Sequence, residues 1–173
     1  MEELKDIKYF SLNKVKKFIV DHGDDPATIK ELCKLILSED HQISMRASWT
    51  LQHLSFEKPE VIKSLYPQLI KFLKRDNNHT GAIRNVIRIF QNLNIPEKYT
   101  GDIYDLCMNY CKNMAMPHAV RVFAIYVMAN ICKKYPDLKY ELELILSEFK
   151  QYPQPPSMTA CIKKTTKLLK NIR

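Results

Sequence analysis

The run Arg121-Val122-Phe123-Ala124-Ile125-Tyr126-Val127-Met128-Ala129-Asn130-Ile131 is followed shortly by Pro136-Asp137-Leu138. In the first segment Ala124, Met128 and Ile131 are spaced four and three apart, which places them on one stripe of a 3.6-residue helix. A proline suits the first position of a helix, because its missing N–H has no intrahelical partner there. Asp137 in that first turn would meet the positive end of the helix dipole. Leu138, Leu142, Ile145, Leu146 and Phe149 then continue as a second helical stripe. The stretch therefore predicts a helix, a proline turn and a second helix packed on the first.

The pattern recurs along the chain. Pro26, Pro59, Pro96 and Pro136 stand 33, 37 and 40 residues apart, and Glu60 and Glu97 follow two of them as Asp137 follows the last. Behind Pro26 the stripe is Ile29, Leu32, Leu35 and Ile36. Behind Pro59 it is Ile62, Leu65, Leu69, Ile70, Phe72 and Leu73, read as one continuous helix. Behind Pro96 it is the weaker Tyr99, Ile103, Leu106 and Tyr110. Each of the last three prolines is also preceded by an alignable helix. Ala47, Leu51 and Leu54 match Val86, Phe90 and Leu93, then Ala124, Met128 and Ile131, at offsets of 39 and 38. A small residue followed by two large ones lets helices approach closely and interlock. A period near 40 residues holding two helices is the mark of an α-solenoid.

On this basis the fold class is all-α: a short right-handed α-solenoid of about four helix pairs, at 11–38, 42–74, 79–114 and 117–150. A capping helix at 155–172 closes it, and the whole chain, 1–173, is expected to be a single domain. Met158, Cys161, Ile162, Thr165, Leu168 and Leu169 give the cap its buried stripe. No segment alternates with period two over a sustained length, so no sheet is expected.

The segment from Arg121 to Ile131 with Pro136-Asp137-Leu138 resembles a HEAT repeat: an arginine, a small residue three later, large apolar residues, a proline turn and a second helix. Arg46 and Arg84 mark the other copies, displaced by one or two positions. The resemblance spans most of the chain. It implies a right-handed superhelix with a concave face, and a protein working as a scaffold, adaptor or binding surface. The second helices of HEAT pairs line that face.

Composition agrees with a folded helical chain. Of 173 residues 46% are hydrophobic and 27% charged, and a chain this long buries roughly 70% of its unfolded surface. Only Gly23, Gly81 and Gly101 are glycines, which argues against phosphate-cradling loops and tight hairpins, both of which need positive φ. The longest unbroken apolar stretch, Val122 to Ala129, is eight residues, whereas a bilayer needs about 20. Met1-Glu2-Glu3-Leu4-Lys5-Asp6 is charged and does not read as a secretory signal. The five cysteines (Cys33, Cys107, Cys111, Cys132, Cys161) are odd in number and form no C-x-x-C pair, as expected of reduced thiols in the cytoplasm.

No catalytic motif stands out. Cys107, Cys111 and His118 are the nearest approach to a metal set, but a site needs three or four converging ligands, and two thiols buried in a helix interface explain the spacing. There is no G-x-S-x-G turn, no Walker A loop and no dinucleotide fingerprint. We expect no enzyme activity, no cofactor and no metal. Trp49, the only tryptophan, lies on a second stripe with Met45, His53 and Phe56; packing accounts for it more simply than stacking on a base.

Charge is the more informative feature. The net charge is +8, of which +5 falls in residues 151–173, a stretch without an acid. Lys163, Lys167, Lys170 and Arg173 recur at helical spacing, with Lys164 beside them. This stripe suits phosphates, an anionic surface or an acidic protein; it also suits a solvated helix end, where cations meet the dipole. Lys63, Lys71, Lys74 and Arg75 form a second set, on a helix of the class that lines the concave face. The expected partner is a protein, unidentified and of acidic character. The alternative is a nucleic-acid backbone, as in the HEAT-like alkylpurine DNA glycosylases. Their working site pairs aromatic side chains with an acid, and the helix from Met45 to Phe56 has none. Helical lyases are excluded by motif, since Gln154-Pro155-Pro156-Ser157-Met158 does not match their serine-rich loop.

Overall fold

A computed structural model describes residues 11–172, and every regular element among them is helical. The chain divides into two compact units, 1–93 and 94–173. The division falls inside the third expected pair.

The first unit holds six helices: α1 (Leu12–His22), α2 (Pro26–Leu35), α3 (His41–Glu57), α4 (Pro59–Lys63), α5 (Tyr66–Leu73) and α6 (Thr80–Asn92). Short polar side chains start the early ones. Ser11 accepts from the Lys14 N–H at the head of α1, Asp25 from those of Ala27 and Thr28 at α2, and Asp40 from those of Gln42 and Ile43 at α3. A capping oxygen of this kind is worth about 1 kcal/mol. Hydrogen bonds from the Thr28 side chain and backbone hold the Asp25 carboxyl below its ordinary pKa. Pro26 and Pro59 occupy the first helical turn, as expected.

The helix behind Pro59 is not continuous. It breaks at Ser64–Leu65 into α4 and α5, because Pro67 has no N–H for the Lys63 carbonyl and its ring collides with that carbonyl in an unbroken helix. The apolar stripe survives the break, and Ile62, Leu65, Leu69, Ile70, Phe72 and Leu73 are all buried. Pro136 differs too: it opens a single 3₁₀ turn, Pro136–Leu138, whose Leu138 carbonyl accepts the Tyr104 hydroxyl at 3.1 Å. Pro96 sits just outside its helix, at the N-cap.

Helices α3 and α6 form the main interface of the first unit. Ala47, Leu51 and Leu54 meet a face of α6 on which Ile83, Val86, Ile87 and Phe90 are buried, and Tyr66 stacks on Phe90 at 5.5 Å. Small hydroxyl residues let the two backbones approach. Ser48, Thr50 and Ser55 satisfy themselves on α3 carbonyls, those of Met45, Arg46 and Gln52. Asn85, 2% exposed, donates across the interface to the Met45 carbonyl (3.2 Å) and to Ser48 Oγ (3.1 Å).

The second unit comprises α7 (Glu97–Lys112), α8 (His118–Cys132), the 3₁₀ turn, α9 (Lys139–Phe149) and α10 (Pro156–Lys170). Helix α8 contacts α7, α9 and α10, and Val120, Val122, Ala124, Ile125, Val127, Met128, Ala129, Ile131 and Cys132 are all buried. A helix apolar on nearly every face must be enclosed. The closing helix is amphipathic: Met158, Cys161, Ile162, Thr165 and Leu169 are buried and its lysines are exposed.

Arg121 is the one charged side chain among the buried residues of the described chain, at 0% exposure. Its Nε donates to the Cys111 carbonyl at 2.9 Å, in the last turn of α7, and its guanidinium lies 4.8 Å from the Phe149 ring centroid. Both terminal nitrogens are buried without a hydrogen-bond partner among the described residues. An unpartnered buried donor costs about 1–3 kcal/mol, which offsets what the Nε bond and the ring contact contribute. Arg121→Met should therefore match the native protein in urea unfolding within about 1 kcal/mol, or exceed it. A loss of about 3 kcal/mol or more would contradict this balance.

Candidate functional site

The connection from α9 to α10 doubles back sharply and is pinned by its own polar groups. Gln154 Nε2 donates to the Phe149 carbonyl at 3.0 Å, and Thr159 Oγ1 donates to the carbonyls of Gln154 and Pro155 at 3.3 and 3.2 Å. This fixed turn forms one wall of a groove of about 510 Å³, and α10 forms the other. Lys163, Lys167 and Lys170 line it from α10, while Lys150 and Tyr152 line it from the connection. Ile162 and the lysine methylenes supply apolar surface. Thr166 also borders the groove, and its hydroxyl is buried with no hydrogen-bond partner among the described residues.

Four ammonium groups thus share one concavity. Among the described residues no carboxylate lies within ion-pair distance of any of them. All four lysines are exposed, so their charges are solvated, but like charges gathered in a cleft raise the local concentration of anions. Lys167 and Lys170 also sit in the last turn of α10, where the dipole favours cations.

The structure brings three members of the expected C-terminal stripe together and separates the others. Lys164 turns towards α8 and stands 5.5 Å over the Tyr126 ring. Arg173 lies outside the described residues. The second expected set belongs to the first unit and is partly neutralised: Lys63 pairs with Glu60 at 2.6 Å, and Arg75 pairs with Glu39 at 2.6 Å while donating to the Leu37 carbonyl at 2.7 Å. Lys71 and Lys74 are exposed. Sequence reasoning missed Lys150, Tyr152 and Thr166. Lys150 lies one residue before the stretch counted as basic, yet no acid follows Glu148, and that longer acid-free run was the available signal.

A second concavity, of about 570 Å³, lies in the first unit, lined by Ile29, Cys33, Leu37 and Leu65 with charges of both signs, Asp24, Glu60, Lys30 and Lys34 among them. Trp49 is half-buried and meets His53 edge-on at 5.1 Å, with Arg88 over the neighbouring Phe56 at 5.9 Å. Burial, then the nearby Arg88 and Lys16, lowers the pKa of His53.

Cys107 and Cys111 are buried where α7 meets α8, while His118 is exposed at the start of α8. Among the described residues no group of three or more His, Cys, Asp or Glu is placed to hold a metal ion. All five cysteines are unpaired and buried. Burial pushes Cys33 and Cys132 up to about 11 and Cys111 up to about 12, against the pull of Arg121, and it raises Cys107 and Cys161 as well. A protonated, enclosed thiol is a poor nucleophile.

The model of a HEAT repeat domain matches residues 4–169. The chain belongs to the HEAT repeat family. No curated protein and no solved structure matches the chain. No helix among the described residues is long and apolar enough to cross a membrane.

The state of the thiols can be measured. Ellman's reagent at pH 8 should titrate close to none of them in the native HEAT-repeat protein and all five after unfolding. Rapid reaction of one or more in the native state would contradict their enclosure.

Proposed function

We propose that this chain is a non-enzymatic HEAT-repeat module that works as a scaffold or adaptor by binding another protein. The observation that carries the proposal is the groove on α10, where four lysines face solvent with no carboxylate answering them among the described residues. Such a cleft attracts and orients an anionic surface without needing to change it chemically. The reduced, buried thiols support a cytoplasmic setting and offer no activated sulfur for catalysis.

The test uses the full chain as bait in a native extract, with lysine-directed cross-linking and mass spectrometry of what it retains. A specific protein partner cross-linked to this chain is expected. Saturable turnover of a small substrate by purified protein would overturn the non-enzymatic role.

The same four lysines favour a second reading, a phosphate backbone as partner. Duplex DNA binding followed across a salt series separates the two. Counterion release makes log K fall with log salt by about 0.9 per phosphate contacted, so four lysines predict a slope near −3.6 if they bind phosphates. Absent or salt-insensitive binding would remove nucleic acid. Base excision finds no support, since Trp49 packs on His53 and α3 offers no carboxylate between Met45 and Phe56.

A further inference from the structure

The geometry points to the α10 groove as the docking site for a short acidic segment of the protein partner, one that carries carboxylates at helical spacing beside an apolar side chain. This assignment rests on the adaptor role proposed above and names the chemistry of its partner.

Two features choose that occupant. Lys163, Lys167 and Lys170 span seven residues of helix, about 10 Å at 1.5 Å per residue. Two or three carboxylates placed three and four residues apart cover the same distance, and Lys150 reaches the site from the opposite wall. The surface between the charges is not polar throughout: Ile162 lies at the base, and Tyr152, 62% exposed, offers an uncovered ring at the rim. An aromatic group beside a charged rim is the usual make-up of an anchoring pocket in protein interfaces.

An extended phosphate chain is less well served. Towards the start of α10 the cations end at Lys163. The first turns of α10, Pro156 to Ala160, carry no charge, and α9, which leads into the groove wall, exposes Glu141 and Glu148. A backbone continuing past the start of α10 would meet neutral surface, and one crossing α9 would meet like charge, whereas a short acidic segment ends where the lysines end.

The probe is a fluorescein-labelled peptide of about 12 residues, with glutamates at i, i+3 and i+7 around a leucine, titrated with the whole 173-residue chain by anisotropy. Saturable binding in the tens of micromolar is expected at about 50 mM salt, weakening several-fold at about 200 mM. The combined Lys163→Gln, Lys167→Gln and Lys170→Gln protein should lose about tenfold or more in affinity with its helical circular dichroism unchanged. Tyr152→Ala should lose about threefold, and Lys63→Gln with Lys71→Gln should change nothing. The assignment is overturned by any of four results: no saturation up to about 1 mM peptide, equal binding of a peptide with glutamine for glutamate, an unaffected triple variant, or a single-stranded oligonucleotide of equal charge that binds more tightly through the same lysines. A partner captured from extract equally well by the triple variant would leave the adaptor role standing and remove this docking site.

Discussion

Helix α8 presents almost no face that can be left in water. Its buried residues run around the cylinder rather than along one stripe, so α7, α9 and α10 are all required to cover it. At about 25 cal/mol per Å² of apolar surface removed from water, each fully buried Leu, Ile, Val or Met contributes about 1.5–3 kcal/mol, and no alternative placement of α8 recovers that. The position of α10 follows from this demand: Met158, Cys161, Ile162 and Leu169 must face inward. The opposite side of the same helix is thereby turned to solvent, and it is the side that carries the lysines. The groove is a by-product of closing the core.

Much of the architecture was legible because helical pairing writes a regular pattern. Ala47, Leu51 and Leu54 repeat as Val86, Phe90 and Leu93 and again as Ala124, Met128 and Ile131, and the prolines punctuate the chain between them. The break at Ser64–Leu65 was hidden because the stripe from Ile62 to Leu73 is consistent with an unbroken helix; only the steric effect of Pro67 decides otherwise. The burial of Arg121 was equally invisible, since an arginine at the start of an amphipathic helix is ordinarily read as solvated.

The basic site was half legible. Periodicity along α10 selects Lys163, Lys167 and Lys170, because residues three and four apart share a face. It cannot select Lys150 or Tyr152, which reach the same space only through the tight turn that Gln154 and Thr159 hold in place. Nor can it remove Lys164, whose neighbour Tyr126 lies 38 residues away in sequence. In the second set, the acids that neutralise Lys63 and Arg75 come from different ranges: Glu60 is local, while Glu39 is brought in by the fold.

The contact made by Asn85 also settles a question that oil-like surfaces leave open. Two helices faced with aliphatic side chains can slide past one another by a turn, about 5.4 Å, and still bury similar area. Asn85 donates to the Met45 carbonyl and Ser48 Oγ at the observed offset; a slip has to break both bonds, and a donor left unsatisfied in a dry seam costs about 1–3 kcal/mol. One polar side chain therefore behaves as a key in its keyway, indexing α6 on α3 and, through it, the spacing of the stack in the first unit.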